Sequence, residues 1–205
     1  YVPTNYFIDW STWAINRMKK LTIGQRNGTD RSQIASVFRN VESYFVEGIT
    51  FSDTGFYAPT FRQNSYSVYD VMGMSIFPRT SVYATLSILC SKLCKYIIKN
   101  FINHTVHTQV EGVKPIPFII NRNPKLESLA DRIITKQKND PRYKYMENEQ
   151  KQIDQIIYET YGLTKNDLDE VETWYARRYP KLLDTSEILI KMEKQDDQHR
   201  SDSRF

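Results

Sequence analysis

A chain of 205 residues with 40% hydrophobic and 25% charged content falls in the globular range and is long enough to bury a core without metals or disulfides. The net charge of +4 is unevenly spread: residues 1–120 hold 12 Lys/Arg against 7 Asp/Glu, residues 121–205 hold 16 against 17, and 19 of the 27 aromatic residues lie in the first segment. A basic, aromatic-rich part joined to a neutral, highly charged part points to a polyanion-binding unit on a helical support, and no run approaches the roughly 20 apolar residues of a membrane helix.

The chain opens on Tyr1 with no leader pattern, which reads as a piece cut from a longer protein. Residues 17–31 read as a polar loop around Gly24, Asn27 and Gly28, in which Arg17, Lys19, Lys20, Arg26 and Arg31 are candidates for phosphate contact. Apolar spacing over 33–45 suggests a short helix. Strands are expected at 56–58 and 66–71, with 62–65 as a polar turn between them. On that turn Arg62, Gln63 and Asn64 carry the paired donors and acceptors that base edges require. Tyr57, Tyr66 and Tyr69 read as sheet packing rather than stacking platforms.

The clearest helix runs over 81–101, capped by Ser81, with Val82, Leu86, Leu89, Cys90, Leu93, Ile97 and Phe101 on one stripe. Lys92, Lys95 and Lys99 line another face, read as solvated. Cys90 and Cys94, four apart, read as small core hydrophobes rather than a metal pair, and they suggest a reducing, cytoplasmic setting. A strand-like run over 105–110 would put His107 and Gln109, with His104, at a groove edge before Pro115 and Pro117 end it.

From Pro124 the texture is helical. Asn123 caps a first helix that stops at Asp140-Pro141. A second carries Met146, Ile153, Ile156, Ile157 and Tyr161 and closes at Gly162; a third opens at Thr164 and ends by Pro180. A short fourth is expected around 188–190, and the polar tail 194–205 reads as disordered. Glycine-rich phosphate loops, the GxSxG elbow and HExxH are all missing, so neither a catalytic nor a metal site is expected.

Glu47-Gly48-Ile49-Thr50-Phe51-Ser52 followed by Tyr69-Asp70-Val71-Met72-Gly73-Met74-Ser75-Ile76-Phe77-Pro78 resembles the "GLTWS … FD..GSSIFP" signature of adenine-N6 DNA methyltransferases, the first of four segments that resemble that family in order. Leu86-Ser87-Ile88-Leu89-Cys90-Ser91-Lys92-Leu93 resembles the "LLAILNSKL" helix, and residues 103–117 resemble "NPT..FQVGDI..IP". Ile153 to Thr164 resembles the "ID.LVYELYGLT" ending. Phe51 stands where the family has Trp, Cys90 where it has Asn, His104 where it has Pro, and Glu111-Gly112 inverts a Gly-Asp pair. The relatives implied are the target-recognition domains of TaqI-like, type IIG restriction–modification and phage-exclusion enzymes.

The resemblance implies an upstream domain that binds S-adenosylmethionine, with magnesium where the parent also cleaves DNA, and that uses an Asn-Pro-Pro-Tyr motif. Here Asn123-Pro124 is followed by Lys125, so the cofactor would belong to the parent and not to this segment. The partners implied are double-stranded DNA and the methyltransferase domain of the same chain. The expected class is α+β: a small mixed sheet with packed helices as a recognition domain over 1–120, then a helical support over 121–193. The competing reading is a protein-interaction or structural scaffold with an incidental basic surface.

Overall fold

The computed structural model describes residues 7–26, 38, 40–64, 67–69, 73–119 and 122–180. The class is α+β, with a three-stranded sheet and seven α-helices among the described residues. β1 (Gly48–Ser52) is central, pairing with β2 (Phe61–Asn64) and β3 (Gly73–Ile76), both antiparallel. The sheet is therefore antiparallel throughout where a mixed one was expected. Ile49 and Phe51 of β1 are fully buried, as suits β-branched and aromatic residues in a middle strand. Gly48 opens the strand because a Cβ there would lie 2.8 Å from the Ile76 carbonyl oxygen and 3.0 Å from the Phe77 ring.

The β-region departs from the sequence expectation in specific ways. Residues 56–58 form a bend, not a strand, because the chain leaves the sheet at Asp53–Gly55 to meet a distant segment. Gly55 N donates to Val106 O (2.8 Å), and Thr108 N donates to Asp53 O (2.7 Å). Arg62, Gln63 and Asn64, expected on a turn, form β2 instead, in register with Thr50, Ile49 and Gly48. Their polar side chains suit a strand that has Phe61 as its one buried residue. The strand expected over 105–110 is reduced to a single bridge, Thr54 with His107, before the short helix α4 (Val110–Val113). Ser67–Tyr69 are not in a strand, and Tyr66 lies outside the described residues. Of the helix expected over 33–45, residues 33–37 and 39 lie outside the described residues, and Val41–Ser43 form one 3-10 turn.

α1 (Thr12–Arg26) occupies most of the stretch expected to be a loop. Ser11 Oγ accepts from Ala14 N (3.2 Å), supplying the N-cap. Arg, Met, Lys, Leu and Gln are strong helix formers, and they outweigh the single interior Gly24. The expected helix over 81–101 is divided. α2 (Val82–Cys90) starts at Ser81, whose side chain accepts from Ala84 N. It ends at Ser91, which turns extended (ψ 156°) and caps α3 (Lys92–Ile97) by accepting from Cys94 N. The Ser91 hydroxyl also donates to Ile88 O (2.7 Å). A π-helical turn, Ile98–Ile102, follows. The apolar stripe does not reveal the break because its period resumes after one residue.

α5 (Pro124–Asn139) is capped by Asn123, whose side chain accepts from Lys125 N and Leu126 N. Met146 lies in a 3-10 turn, Tyr145–Glu147, just ahead of α6 (Glu149–Tyr161). Gly162 ends α6 in the left-handed region (φ 66°), where a Cβ is disfavoured. Thr164 and Asp167 form a reciprocal capping box at the start of α7 (Lys165–Arg178). The expected helix near 188–190 and the tail lie outside the described residues.

The interior has two clusters. One packs Ile49, Phe51 and Phe61 of the sheet against Leu86, Leu89, Cys94 and Ile98. The other packs Ile88 and Leu93 against Leu126, Leu129, Ile153, Ile157 and Val171. α2 and α3 are the wall common to both. Among the described residues, no helix is long and apolar enough to cross a membrane.

Candidate functional site

α1 presents an exposed face of aromatic, amide and cationic side chains. At 100° per residue, Trp13, Asn16, Arg17 and Lys20 fall within about 100° of arc, and all four are exposed. Ala14, flanking that arc, is buried, and Ile15 and Met18 on the opposite side are half-buried. Trp13 is 68% exposed, and the Arg17 guanidinium stands 5.6 Å from its ring centre. The helix carries Arg17, Lys19, Lys20 and Arg26 and no acidic residue. Among the described residues Arg17, Lys19 and Lys20 form no ion pair. Lys19 points aside, over the Phe38 ring at 5.9 Å.

An aromatic chain ties this helix to the sheet. The Trp10 ring, just before α1, meets Phe38, Tyr44 and Phe45 at 5.4–6.0 Å between centres. Tyr44 meets Tyr69, and Tyr69 meets Phe77 at the end of β3. The Tyr69 hydroxyl also donates to Val46 O (3.0 Å).

The other candidates lie elsewhere. Arg62 donates to Ser52 Oγ (3.2 Å), and Gln63 donates to Glu47 Oε1 (2.6 Å) and the Tyr83 hydroxyl (3.1 Å). Both are half-buried and occupied within the protein, and Asn64 is half-buried at the strand end. His107 Nδ1 lies 2.9 Å from Asp53 Oδ2, with the ring mostly exposed. Gln109 is exposed ahead of α4. The candidates therefore occupy three separate places with no hydrogen bond or ring contact joining them among the described residues. The side chain of Arg26 and all of Arg31 lie outside those residues. Trp13 and Asn16 did not emerge from the sequence as site residues. Their i, i+3, i+4, i+7 spacing with Arg17 and Lys20 was the available signal, concealed by the expectation of a loop.

Lys92, Lys95 and Lys99 do not form a solvated face. Lys92 Nζ pairs with Glu172 at 2.8 Å, with side chains 13% and 23% exposed. Lys95 stands over the Tyr175 and Tyr179 rings. Lys99 is buried, donates to Thr105 O (2.8 Å), and burial lowers its pKa. The expected solvated face is overturned because α7 packs directly on α3. Beneath the pair, Asp154 Oδ1 accepts from Lys92 N (2.9 Å), and burial pushes the Asp154 carboxyl up to about 6. Cys94 lies in the core, and burial raises its thiol pKa; the Cys90 thiol is raised by the same cause and donates to Phe61 O.

Neither a scan against protein-family models nor a search of curated proteins returns a match for this chain.

Proposed function

We propose that this chain is a sequence-specific duplex-DNA recognition module of an adenine-N6 methyltransferase or restriction–modification enzyme, and that α1 is its DNA-facing helix. The observation that carries the reading is the exposed Trp13–Asn16–Arg17–Lys20 face, on a helix with four cations and no acid. A helix of 15 residues is about 22 Å long and fits a major groove about 12 Å wide. Arg17 and Lys20 reach phosphates, and Asn16 has the donor–acceptor pair that matches an adenine edge. The ordered resemblance at 47–52, 69–78, 86–93, 103–117 and 153–164 supports the choice of duplex DNA and of a methyltransferase parent. S-adenosylmethionine and any magnesium belong, on this reading, to the catalytic domain of that parent. Arg62 and Gln63 hold the sheet edge rather than read bases, because contact with DNA would require breaking their internal bonds.

Fluorescence anisotropy with labelled duplex DNA tests the proposal. Affinity is expected to fall linearly on a log–log plot between 50 and 200 mM salt, with a slope near −0.9 per phosphate contacted. Salt-independent association, or none at low salt, would leave a protein-interaction scaffold as the better reading.

A further inference from the structure

A cavity of about 520 Å³ lies between the segment Tyr57–Gln63, α2, α5, α6 and the end of α7. That volume is ordinary for a small organic ligand. Trp13, Asn16, Arg17 and Lys20 do not line it, so it is separate from the proposed DNA face.

Its walls have a definite chemistry. Leu86, Ile134 and Ile153 give an apolar floor, and Tyr145, Tyr175 and Tyr179 give aromatic sides. Two cationic side chains, Lys95 and Arg62, line it, and no Asp or Glu does among the described residues. Of the acids around α3, Glu172 pairs with Lys92, and Asp154 accepts from the Lys92 backbone through Oδ1 while its Oδ2 is buried without a partner behind the cavity lining. Lys95 Nζ sits 5.4 and 5.6 Å from the Tyr175 and Tyr179 ring centres and forms no ion pair among the described residues.

Two donors at the cavity are unsatisfied. Tyr175 is fully buried, and its hydroxyl has no hydrogen-bond partner; Arg62 Nε is buried and likewise without one. Buried polar atoms are nearly always bonded, so two unpaired donors on residues lining one cavity call for an acceptor. Burial raises the Tyr175 pKa, which keeps the hydroxyl protonated and able to donate. Two cations and two unpaired donors, with no carboxylate among the described lining residues, favour an anionic acceptor, and the aromatic sides favour a flat body.

We propose that this cavity binds a small organic anion with a flat apolar body, its acidic head held by Lys95, Arg62 and the Tyr175 hydroxyl. The head group is a carboxylate, sulfonate or phosphate, and the rings of Tyr145 and Tyr179 face the body.

The full chain is titrated with 8-anilinonaphthalene-1-sulfonate and, in parallel, with N-phenyl-1-naphthylamine, which has the same body without the charge. One saturable sulfonate site is expected. Lys95→Gln should weaken it about tenfold, the loss of one charge-assisted contact, while Lys95→Arg restores it and the neutral compound changes less than about twofold. Ile133→Trp, placed at the cavity wall, should abolish both signals with the helical circular dichroism retained. The proposal is overturned if no saturable site exists, if the two compounds bind alike, or if Lys95→Gln leaves the sulfonate affinity unchanged. It is equally overturned if a folded Ile133→Trp binds like the wild type. Should Ile133→Trp fail to fold, the Gln and Arg pair at position 95 still decides.

Discussion

α1 and α3 carry the same kind of residue at similar spacing, with opposite outcomes. Arg17 and Lys20 on α1 are exposed and form no ion pair among the described residues, whereas Lys92, Lys95 and Lys99 on and just after α3 are engaged by a carboxylate, two aromatic rings and a carbonyl. The difference lies in what packs on each helix. α7 brings Glu172 and Tyr175 onto α3, while α1 is held at its start by the Trp10 rings and turns one flank outward. A cation tells little about its role until the element opposite it is known. On this contrast Lys92 and Lys99 serve the fold, whereas Arg17 and Lys20 of α1 are exposed.

Four measurements would break or sharpen the contrast. The largest effect is expected at Asp154. Its carboxyl titrates near 6 in the fold against 3.8 in the reference state, so the folded chain binds the extra proton between those values. The stability it contributes is complete below pH 4 and is lost as pH rises through 6. Relative to Asp154→Asn, which keeps an acceptor for Lys92 N, the wild type should lose about 3 kcal/mol across that window in urea melts. Next, Lys92→Ala leaves Glu172 without its cation and should cost about 2 kcal/mol, less than a fully buried pair because both side chains retain some exposure. DNA affinity should not change.

For α1 the pattern should invert. Replacing Arg17 and Lys20 together by Ala should weaken duplex binding about tenfold at low salt and flatten the salt slope by about two phosphate contacts. Thermal stability should move by less than about 0.5 kcal/mol, as at other exposed sites. Asn16→Ala should narrow the preference between cognate and scrambled duplexes by about 1 kcal/mol, with little effect on non-specific affinity, which competition binding would resolve. If Lys92→Ala proved to be the variant that weakened DNA binding, the assignment of the two helices would be reversed.

The fold was legible where local chemistry marks it. Ser81, Asn123, Thr164 and Gly162 are cap residues at the element ends they were read to mark, because a cap is a short-range interaction. Strand identity was not legible. Arg62-Gln63-Asn64 look like a turn in isolation and become a strand through pairing with β1, a partner more than ten residues away. The bend at 56–58 likewise depends on residues 106–108, over fifty positions distant. At the candidate site the basic content of residues 17–26 was visible, but its face was not. Polar periodicity is hidden when Gly24 suggests a loop, and Trp13 and Asn16 acquire meaning once the helix is in place.

The break at Ser91 has a consequence for how the molecule comes apart. Because the chain restarts at that residue, Leu86 and Leu89 serve the sheet side while Ile88 and Leu93 serve the helices. Neither half has a complete interior of its own, and a cut near residue 120 would strip Ile88 and Leu93 of their cover. Denaturation should therefore be a single all-or-none transition, with amides of the sheet and of α6 exchanging with solvent at the same limiting free energy. One serine hydroxyl, bonded to Ile88 O behind it and to Cys94 N ahead, sets the break between the two helices that both interiors share.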